Sequence, residues 1–347
     1  MTLLRKEVTC KTIPYAVPFI STSSGTRAPA QLHARTGPSW AYLRAAGATR
    51  LGTTMTSHYA HQPVPATDVF KPDIFSGKVV LVTGGGSGIC YKITETLMRF
   101  GCKAAIVGRK ADRLQEAAQQ LSRDTGSQAI SLPGDVRQYV AMQQIVKKTI
   151  DQFGHIDFVI CGAAGNFMSP LQGLSSNAFR AILEIDLLGT FNTVRATMDE
   201  IKRTHGSYLH ISATLHYSGL PWQGAASSAK AGVDALSNVV AVELGPFGVR
   251  SNCIAPGLIA GTEGASRLLP QGSEELARSL IPCQRVGERT DIANAAVFLF
   301  SDAANWITGQ VIAVDGGHMH FRSAWLPYPD SMLDPRSFKD LFPGLRL

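Results

Sequence analysis

From Lys78 onward, short apolar runs alternate with longer segments of helical period, and this alternation limits the fold more than any other feature. Runs such as Val79–Val82 and Ala104–Val107 carry only apolar residues, as is typical of strands buried on both faces of a sheet. Strands are predicted at Val79–Thr83, Lys103–Val107, Gln128–Leu132, Phe158–Cys161, Ser207–Ile211, Arg250–Ile254 and Val311–Val314. Helices are predicted at Ser87–Gly101, Ala111–Arg123, Val140–Phe153, Asn177–Thr204, Gly224–Leu244 and Asp291–Phe300.

Strands that alternate with helices form a parallel sheet covered on both faces. In the first predicted helix Ile89, Ile93 and Leu97 recur every fourth residue, which gives one apolar stripe to pack on such a sheet. Because crossovers are right-handed, we expect an α/β fold: a single doubly wound Rossmann domain over residues 68–320, with about seven parallel strands and helices on both faces. Ligands of such sheets bind beyond the carboxyl ends of the strands.

The two ends of the chain lie outside this pattern. Residues 1–67 are rich in Ser, Thr, Arg and Ala and hold +6 of the net charge of +7. They show no apolar period, so we expect a disordered extension: either an organelle transit peptide or a translated stretch upstream of a true start at Met55. Residues 321–347 are expected to form a C-terminal tail.

Composition excludes several classes of protein. Residues 68–347 carry a net charge of +1, so no nucleic-acid partner is indicated. No run approaches the roughly 18 apolar residues of a membrane-spanning helix, so no integral membrane segment is expected. The cysteines are scattered without a CxxC or Cys/His cluster, which predicts free thiols and no metal site. They are Cys10, Cys90, Cys102, Cys161, Cys253 and Cys283.

A glycine-rich turn separates the first predicted strand from the first predicted helix. Its expected cofactor-binding residues are Gly84, Gly85, Gly86, Ser87, Gly88 and Ile89. Glycines let the backbone turn tightly and approach a pyrophosphate, whose charge then rests on the helix N-terminus. Such a run alone is a weak signal, but between a buried strand and an amphipathic helix it predicts a dinucleotide site.

The end of the second predicted strand bears on the choice of dinucleotide. NAD-binding folds usually carry an acid there to hold the ribose hydroxyls, whereas this chain has Arg109. An arginine suits a 2′-phosphate, so NADP(H) is the expected cofactor; the alternative is a solvated helix start flanked by Lys110 and Arg113. Asp135, after the third strand, is expected to touch the adenine or to cap a helix.

Several further motifs stand beside the turn. They are Gly162-Ala163-Ala164-Gly165, Lys230, Asn252 with Ala255-Pro256-Gly257, and Val314-Asp315-Gly316-Gly317. With Thr83–Ile89 they resemble the short-chain dehydrogenase/reductase family over roughly residues 77–318. The resemblance implies that Lys230, Pro256, Gly257, Ile259 and Thr262 contact the cofactor and that the chain forms a homo-oligomer, a tetramer or a dimer.

The departures from the family pattern are informative. The family's catalytic tyrosine falls on Ala226 and its serine on Ala213, while the usual asparagine of the fourth helix falls on Asp186. Cys90 replaces the last glycine of the fingerprint, and Cys161 replaces the asparagine after the fourth strand. A reductase of carbonyl groups needs a hydroxyl to protonate the oxygen, and this chain lacks one in the usual place.

One subgroup of the family shows the same losses. The motifs Ala163–Phe167, Asp186–Phe191, Ser212–Thr214 and Pro256–Gly264 look like those of peroxisomal 2,4-dienoyl-CoA reductases, most of all in their fungal form. Members reduce the conjugated diene of an acyl-CoA with NADPH to a 3-enoyl-CoA, which permits β-oxidation of unsaturated fatty acids. The resemblance therefore implies this reaction and an acyl-CoA substrate.

The resemblance also assigns roles to individual residues. Lys230 would hold the nicotinamide ribose and add positive potential, and Asp186 would hold or protonate a water; alternatively, Asp186 is a helix residue near Lys230 with no proton role. Tyr217 is the next candidate proton donor, whereas His210 and His216 are interpreted as structural. The residues expected near the acyl-CoA are Arg109, Arg137, Phe167, Ser175, Ser176, Asn177 and Arg267, although each arginine singly is more often a solvated surface residue.

Two questions stay open at this level. The tail Leu345-Arg346-Leu347 partly resembles a peroxisomal address, whereas the N-terminus suggests the mitochondrion. The motifs also leave room for another NADPH-dependent acyl-thioester reductase, acting on 2-enoyl or 3-oxoacyl groups. A catalytically dead NADP-binding sensor or scaffold is the third possibility.

Overall fold

The computed structural model describes residues 71–262, 264–265, 277 and 279–321. The predictions for residues 1–67, for Arg267 and for the tail beyond Phe321 fall outside these residues.

Seven strands form one sheet in which every neighbouring pair is parallel, in the order β3-β2-β1-β4-β5-β6-β7. The strands are β1 (Val79–Thr83), β2 (Lys103–Gly108), β3 (Ala129–Pro133), β4 (Phe158–Cys161), β5 (Ser207–Ile211), β6 (Arg250–Pro256) and β7 (Val311–Val314). The fold predicted from the sequence is confirmed, with each strand within two residues of its predicted bounds.

Helices connect successive strands, as the sequence pattern predicted. They are α1 (Gly88–Arg99), α2 (Ala111–Thr125), α3 (Tyr139–Phe153), α4 (Ser176–Leu183), α5 (Gly189–Thr204), α6 (Leu215–Ser218), α7 (Gly224–Leu244) and α8 (Arg289–Phe300). Short 3₁₀ turns occur at Leu171–Gly173, Gly245–Phe247, Asp302–Ala304 and His318–His320. Within the described part of the chain, no helix has both the length and the apolar character needed to cross a membrane.

The helix predicted over Asn177–Thr204 is present as an unbroken helical stretch, but it is not α-helical throughout. A π-helical turn, Glu184–Leu188, separates α4 from α5. A π turn adds one residue to the helical repeat, and the apolar period of a sequence does not reveal a single insertion. Gly189 follows this turn at a close approach, because a Cβ there would overlap the side chain of Val136.

The core consists of two apolar layers, one on each face of the sheet. Val80 and Val82 of β1 pack with α1, α2 and α8 on one face, while Leu81 packs with α3, α5 and α7 on the other. This alternation follows from the two-residue period of a strand. All five β1 residues are buried, which explains why the first four, Val79–Val82, form an unbroken apolar run.

The strand order fixes where a ligand can bind. The chain crosses from β1 to β2 and β3 on one side, then returns to β4 on the other side of β1. The loops after β1 and β4 therefore diverge at the carboxyl edge of the sheet and leave a crevice between them.

Candidate active site

The glycine-rich turn lies at this crevice. Gly84 and Gly88 have φ of +73° and +62°, in the left-handed region that favours glycine. A Cβ on Gly84 would lie 2.8 Å from the carbonyl oxygen of Gly162, so the turn and the loop after β4 approach too closely for any side chain. Ser87 gives α1 no side-chain cap, and the first turn of α1 carries no acid. These backbone N–H groups and the helix dipole fit a pyrophosphate.

Thr83 ties the turn to the neighbouring loop. Its hydroxyl accepts hydrogen bonds from the N–H groups of Gly162 and Ala163 at 3.1 and 3.3 Å. Thr83 itself is 1% exposed, so these two hydrogen bonds are buried and support the turn from within the protein.

A crevice of about 300 Å³ opens beside the turn. Its walls bring together the predicted cofactor residues Gly84, Gly86, Ser87, Arg109 and Asp135. Lys110, Arg113, Ala163 and Ala164 complete much of the wall. The residues present therefore fit a nicotinamide dinucleotide, and basic side chains stand at the end of β2 where an acid would hold ribose hydroxyls.

Asp135 and Arg137 form an ion pair with each other. The guanidinium of Arg137 donates to both carboxylate oxygens at 2.6–3.0 Å. This hydrogen bonding holds the pKa of Asp135 below its ordinary value. Asp135 is not a helix cap, because the residue before α3 is Gln138. Any contact of Arg137 with a phosphate would compete with this pair.

Lys230 and Asp186 meet in the interior, although 44 residues separate them in the sequence. The Lys230 ammonium donates to the carbonyl oxygen of Ile211 at 2.9 Å and lies 3.2 Å from Oδ2 of Asp186. Oδ1 of Asp186 accepts a hydrogen bond from the N–H of Gly165 at 2.7 Å. The Asp186 side chain is 1% exposed, and its Oδ2 makes no aligned hydrogen bond within the described residues. The π turn carries Asp186 and α7 carries Lys230, so the pair joins two helices at the carboxyl edge of the sheet.

No hydroxyl stands where the family places its proton donors. Ala226 lies one helical turn before Lys230 and is buried, and Ala213 follows β5. The Tyr217 hydroxyl donates instead to Oδ2 of Asp234 at 2.7 Å. Burial and this hydrogen bond raise the pKa of Tyr217 above its ordinary value, so it is a poor acid.

Sequence reasoning missed the cluster around Asp234. Nε2 of His216 lies 2.8 Å from the same carboxylate oxygen that Tyr217 contacts, so two consecutive residues of α6 are held to α7. The available signal was the position of Asp234, one turn after Lys230 on the same face of α7. His210 is fully buried beside Ser251, and burial lowers its pKa to about 4, in keeping with a structural role.

The remaining predicted residues that the structure describes do not line this crevice. Ser175 caps α4 by accepting from the N–H of Ala178 at 3.2 Å, and Ser176 and Asn177 begin that helix in exposed positions. Phe167 is 38% exposed on the loop after β4. The strand β6 ends at Pro256, and the loop that follows carries Gly257, Ile259 and Thr262. The Thr262 hydroxyl donates to the carbonyl of Ile259, which fixes that turn.

Cys90 and Cys161 are both buried beneath the turn. A Cβ on Gly162 would overlap Sγ of Cys90, so the cysteine fills space that an ordinary residue at position 162 would need. Burial raises the pKa of Cys90 to about 12 and raises that of Cys161 further, so both are neutral thiols. They pack as small apolar groups rather than as nucleophiles.

Comparison with known proteins agrees with this geometry. Residues 84–319 match the family described as enoyl-(acyl carrier protein) reductase. The chain is 48% identical over 275 residues to the peroxisomal (3E)-enoyl-CoA-producing 2,4-dienoyl-CoA reductase of Saccharomyces cerevisiae, covering 78% of this chain and 94% of that protein. The enzyme of the same description in Danio rerio is 44% identical over 262 residues, covering 75% of this chain and 85% of that protein.

Two solved dehydrogenase structures are similar to this fold. The citronellol catabolism dehydrogenase of Pseudomonas aeruginosa superposes with a TM-score of 0.64 at 32% identity, covering 72% of this chain and 98% of that one. A 7α-hydroxysteroid dehydrogenase, solved with NADH and 7-oxo-glycochenodeoxycholic acid, gives 0.67 at 27% identity, covering 71% and 96%. The family match and the NADH-bound neighbour together indicate a nicotinamide cofactor. The chain is a member of the short-chain dehydrogenase/reductase family.

Proposed function

We propose that this protein reduces the conjugated diene of a 2,4-dienoyl-CoA to a 3-enoyl-CoA with NADPH. The observation that carries the proposal is the buried pair of Lys230 and Asp186, with alanines at 213 and 226. Diene reduction ends with a proton on carbon, so it needs no hydroxyl aimed at a carbonyl oxygen. The names of the two reductases compared above, at 44% and 48% identity, support the same reaction.

Lys230 has two tasks on this reading. When bound, the nicotinamide supplies the hydride that reduces the diene. Of the three N–H donors of Lys230, one is used by Ile211 and one faces Asp186, which leaves one for a ribose hydroxyl. Its charge, in a site removed from water, also stabilises the negative charge that develops on the thioester oxygen of the substrate.

Asp186 is the candidate for handling the proton. The N–H of Gly165 fixes Oδ1, so the carboxylate keeps one orientation, while Oδ2 has, among the residues that the structure describes, only the ion-pair contact with Lys230. We assign to Oδ2 the task of holding a water that delivers a proton to carbon or, when Oδ2 itself carries a proton, of replacing the proton that this water gives up.

The preference for NADPH rests on the end of β2. Arg109 and Lys110 are exposed at the mouth of the crevice. The nearby acid, Asp135, is neutralised by Arg137. A 2′-phosphate would find basic partners here, whereas the ribose hydroxyls of NAD would lack their usual carboxylate.

The other functions fit the site less well. A 3-oxoacyl reductase must protonate a carbonyl oxygen, which Ala226 cannot do. A 2-enoyl reductase shares the delivery of a proton to carbon, and substrate comparison separates it from the present proposal. A dead sensor or scaffold gives no reason to keep Lys230 and Asp186 buried together, since well-packed apolar residues are often at least as stabilising as a buried ion pair.

The experiment is a measurement of NADPH oxidation by the purified full chain. The substrates are 2,4-hexadienoyl-CoA, 2-hexenoyl-CoA and acetoacetyl-CoA, and the dienoyl product is identified by NMR. We expect turnover of the dienoyl-CoA alone and a 3-enoyl product. Preferred turnover of either other substrate, or no turnover of any, contradicts the proposal.

We further propose that the protein is peroxisomal and forms a homo-oligomer, a dimer or a tetramer. The word peroxisomal stands in the names of both reductases compared, and Leu345–Leu347 partly resembles a peroxisomal address. For assembly, an apolar face extends from the π turn and α5, with Leu188 and Phe191, and another lies on α7, with Val239 and Val242; these side chains are 42–77% exposed. Light scattering of the wild type and of Val242→Asp, and microscopy of a tagged full chain, test the two statements.

A further inference from the structure

Two loops at the carboxyl edge of the sheet expose large apolar side chains. The loop after β4 carries Phe167, Met168 and Leu171, which are 38%, 39% and 79% exposed. The loop between α6 and α7 carries Leu220 and Trp222, which are 46% and 56% exposed. We call these five residues the apolar rim.

The two loops are joined to each other. The N–H of Ser169 donates to the carbonyl oxygen of Trp222 at 3.1 Å. A Cβ on Gly224, the first residue of α7, would lie 3.6 Å from Cδ1 of Leu171. Both halves of the rim therefore meet over the start of the helix that carries Lys230.

The rim is also continuous with the proposed catalytic pair. The loop after β4 contains Ala163 and Ala164, which line the crevice beside the glycine turn, and the N–H of its Gly165 donates to Asp186. Phe167 follows only two residues later. One short loop thus both fixes the Asp186 carboxylate and carries the first residue of the rim.

The backbone at Trp222 gives an independent indication of a ligand. Its φ of +66° lies in the left-handed region, which is unusual for a bulky side chain and costs stability. More than half of the Trp222 surface stays exposed, so burial in the folded chain does not repay this strain. Strained residues with no packing reward are expected where a ligand supplies the missing contacts.

We propose that the apolar rim binds the acyl chain of the substrate beyond its diene and makes the enzyme favour long over short dienoyl-CoA substrates. This inference rests on the proposed function. A second copy of the chain is a less suitable occupant, because the loop that carries Phe167 also holds Asp186, whereas exposed apolar faces suited to assembly are present on α5 and α7. Trp222 is the specificity-determining residue, since its ring is the largest of the rim.

The test uses Trp222→Gly in the full chain. Glycine adopts a positive φ without strain, so the fold is expected to survive and the melting temperature to stay the same or rise. The matched control is Trp306→Ala, since Trp306 is 90% exposed and lies outside the rim. The two variants and the wild type are compared on 2,4-hexadienoyl-CoA and 2,4-decadienoyl-CoA.

We expect kcat/KM of Trp222→Gly for the ten-carbon substrate to fall about tenfold, mainly through KM, which is the effect of exposing roughly two methylene groups. For the six-carbon substrate the change should be less than about twofold, and Trp306→Ala should match the wild type on both. Calorimetric titration with saturated decanoyl-CoA and with acetyl-CoA gives a readout that needs no turnover. Affinity for decanoyl-CoA alone should fall in Trp222→Gly.

Equal losses for both chain lengths, or unchanged binding of decanoyl-CoA, would overturn the inference. Dissociation of an oligomer by Trp222→Gly would show instead that the rim contacts a second copy. Failure of the proposed function looks different: neither dienoyl-CoA would be reduced by the wild type, while the titrations would still test the rim.

Discussion

The side chain of Cys90 fills the space that a side chain at position 162 would need. We therefore predict that substitutions at these two positions are strongly coupled in their effect on the free energy of unfolding. A Cβ at Gly162 would overlap Sγ of Cys90 and would also lie 3.2 Å from the carbonyl oxygen of Thr83 and 3.3 Å from Cγ1 of Ile211. Because β1 and β5 close two of these sides, the added methyl group cannot move away. Gly162→Ala should therefore destabilise the fold by about 1–3 kcal/mol, the usual effect of overpacking a core.

Removing the sulfur should relieve this conflict. Cys90→Ala alone leaves a small cavity and should cost about 1 kcal/mol. In the double variant the methyl group of residue 162 occupies the vacated space, so its destabilisation should be smaller than the sum of the two single effects by about 1–2 kcal/mol.

Denaturant unfolding of the four proteins at one protein concentration measures this coupling. Gly173→Ala is the control, because the nearest atom to a Cβ there is Cγ of Pro170 at 3.5 Å, an ordinary van der Waals contact, and Gly173 has no positive φ. Additive effects of Gly162→Ala and Cys90→Ala, within about 0.5 kcal/mol, would refute the packing argument.

Two further predictions concern charge. Arg109→Asp should erase or invert the preference for NADPH over NADH, since an arginine–phosphate contact is worth about 1.5–3 kcal/mol; equal use of both cofactors by the wild type would contradict the assignment. The Asp291 carboxylate accepts hydrogen bonds from the N–H of Glu288 and from the guanidinium of Arg285. The hydrogen bonds from Arg285 hold the pKa of Asp291 below its ordinary value. Asp291→Asn should therefore destabilise the protein by about 1 kcal/mol near neutral pH. A lowered pKa stabilises the fold in full above the unfolded pKa of about 3.9, and this stabilisation is lost as the pH falls from there through the lower pKa of the folded state. A difference that persists below both values would count against the prediction.

The sheet could be predicted from the sequence because strands buried on both faces appear as short, unbroken runs of apolar residues. Val79–Thr83 and Phe158–Cys161 were predicted with the bounds that the structure has, since every residue of these strands is buried. The π turn at Glu184–Leu188 could not be predicted, because it changes the helical repeat by one residue without changing the apolar pattern.

The candidate site was predictable only in part. The glycine turn and Arg109 stand at strand ends that a sequence can locate, and the structure brings both to one crevice. The short distance between Lys230 and Asp186 arises from the tertiary fold, so no local sequence pattern predicts it. The hydrogen bond from Tyr217 to Asp234 and the ion pair of Arg137 with Asp135 likewise depend on side-chain directions in the folded chain. The catalytic and binding roles themselves stay predictions.

The central claim is that Asp186 handles the proton and Lys230 serves both the cofactor and the substrate oxygen. Asp186→Asn keeps the shape of the side chain and removes the acid, and Lys230→Ala removes the ammonium. With 2,4-hexadienoyl-CoA, the account predicts that Asp186→Asn lowers kcat about a hundredfold or more while the Kd for NADPH stays nearly unchanged. Lys230→Ala should impair both. Wild-type turnover by Asp186→Asn, or a loss of NADPH binding as large as that of Lys230→Ala, would contradict the account.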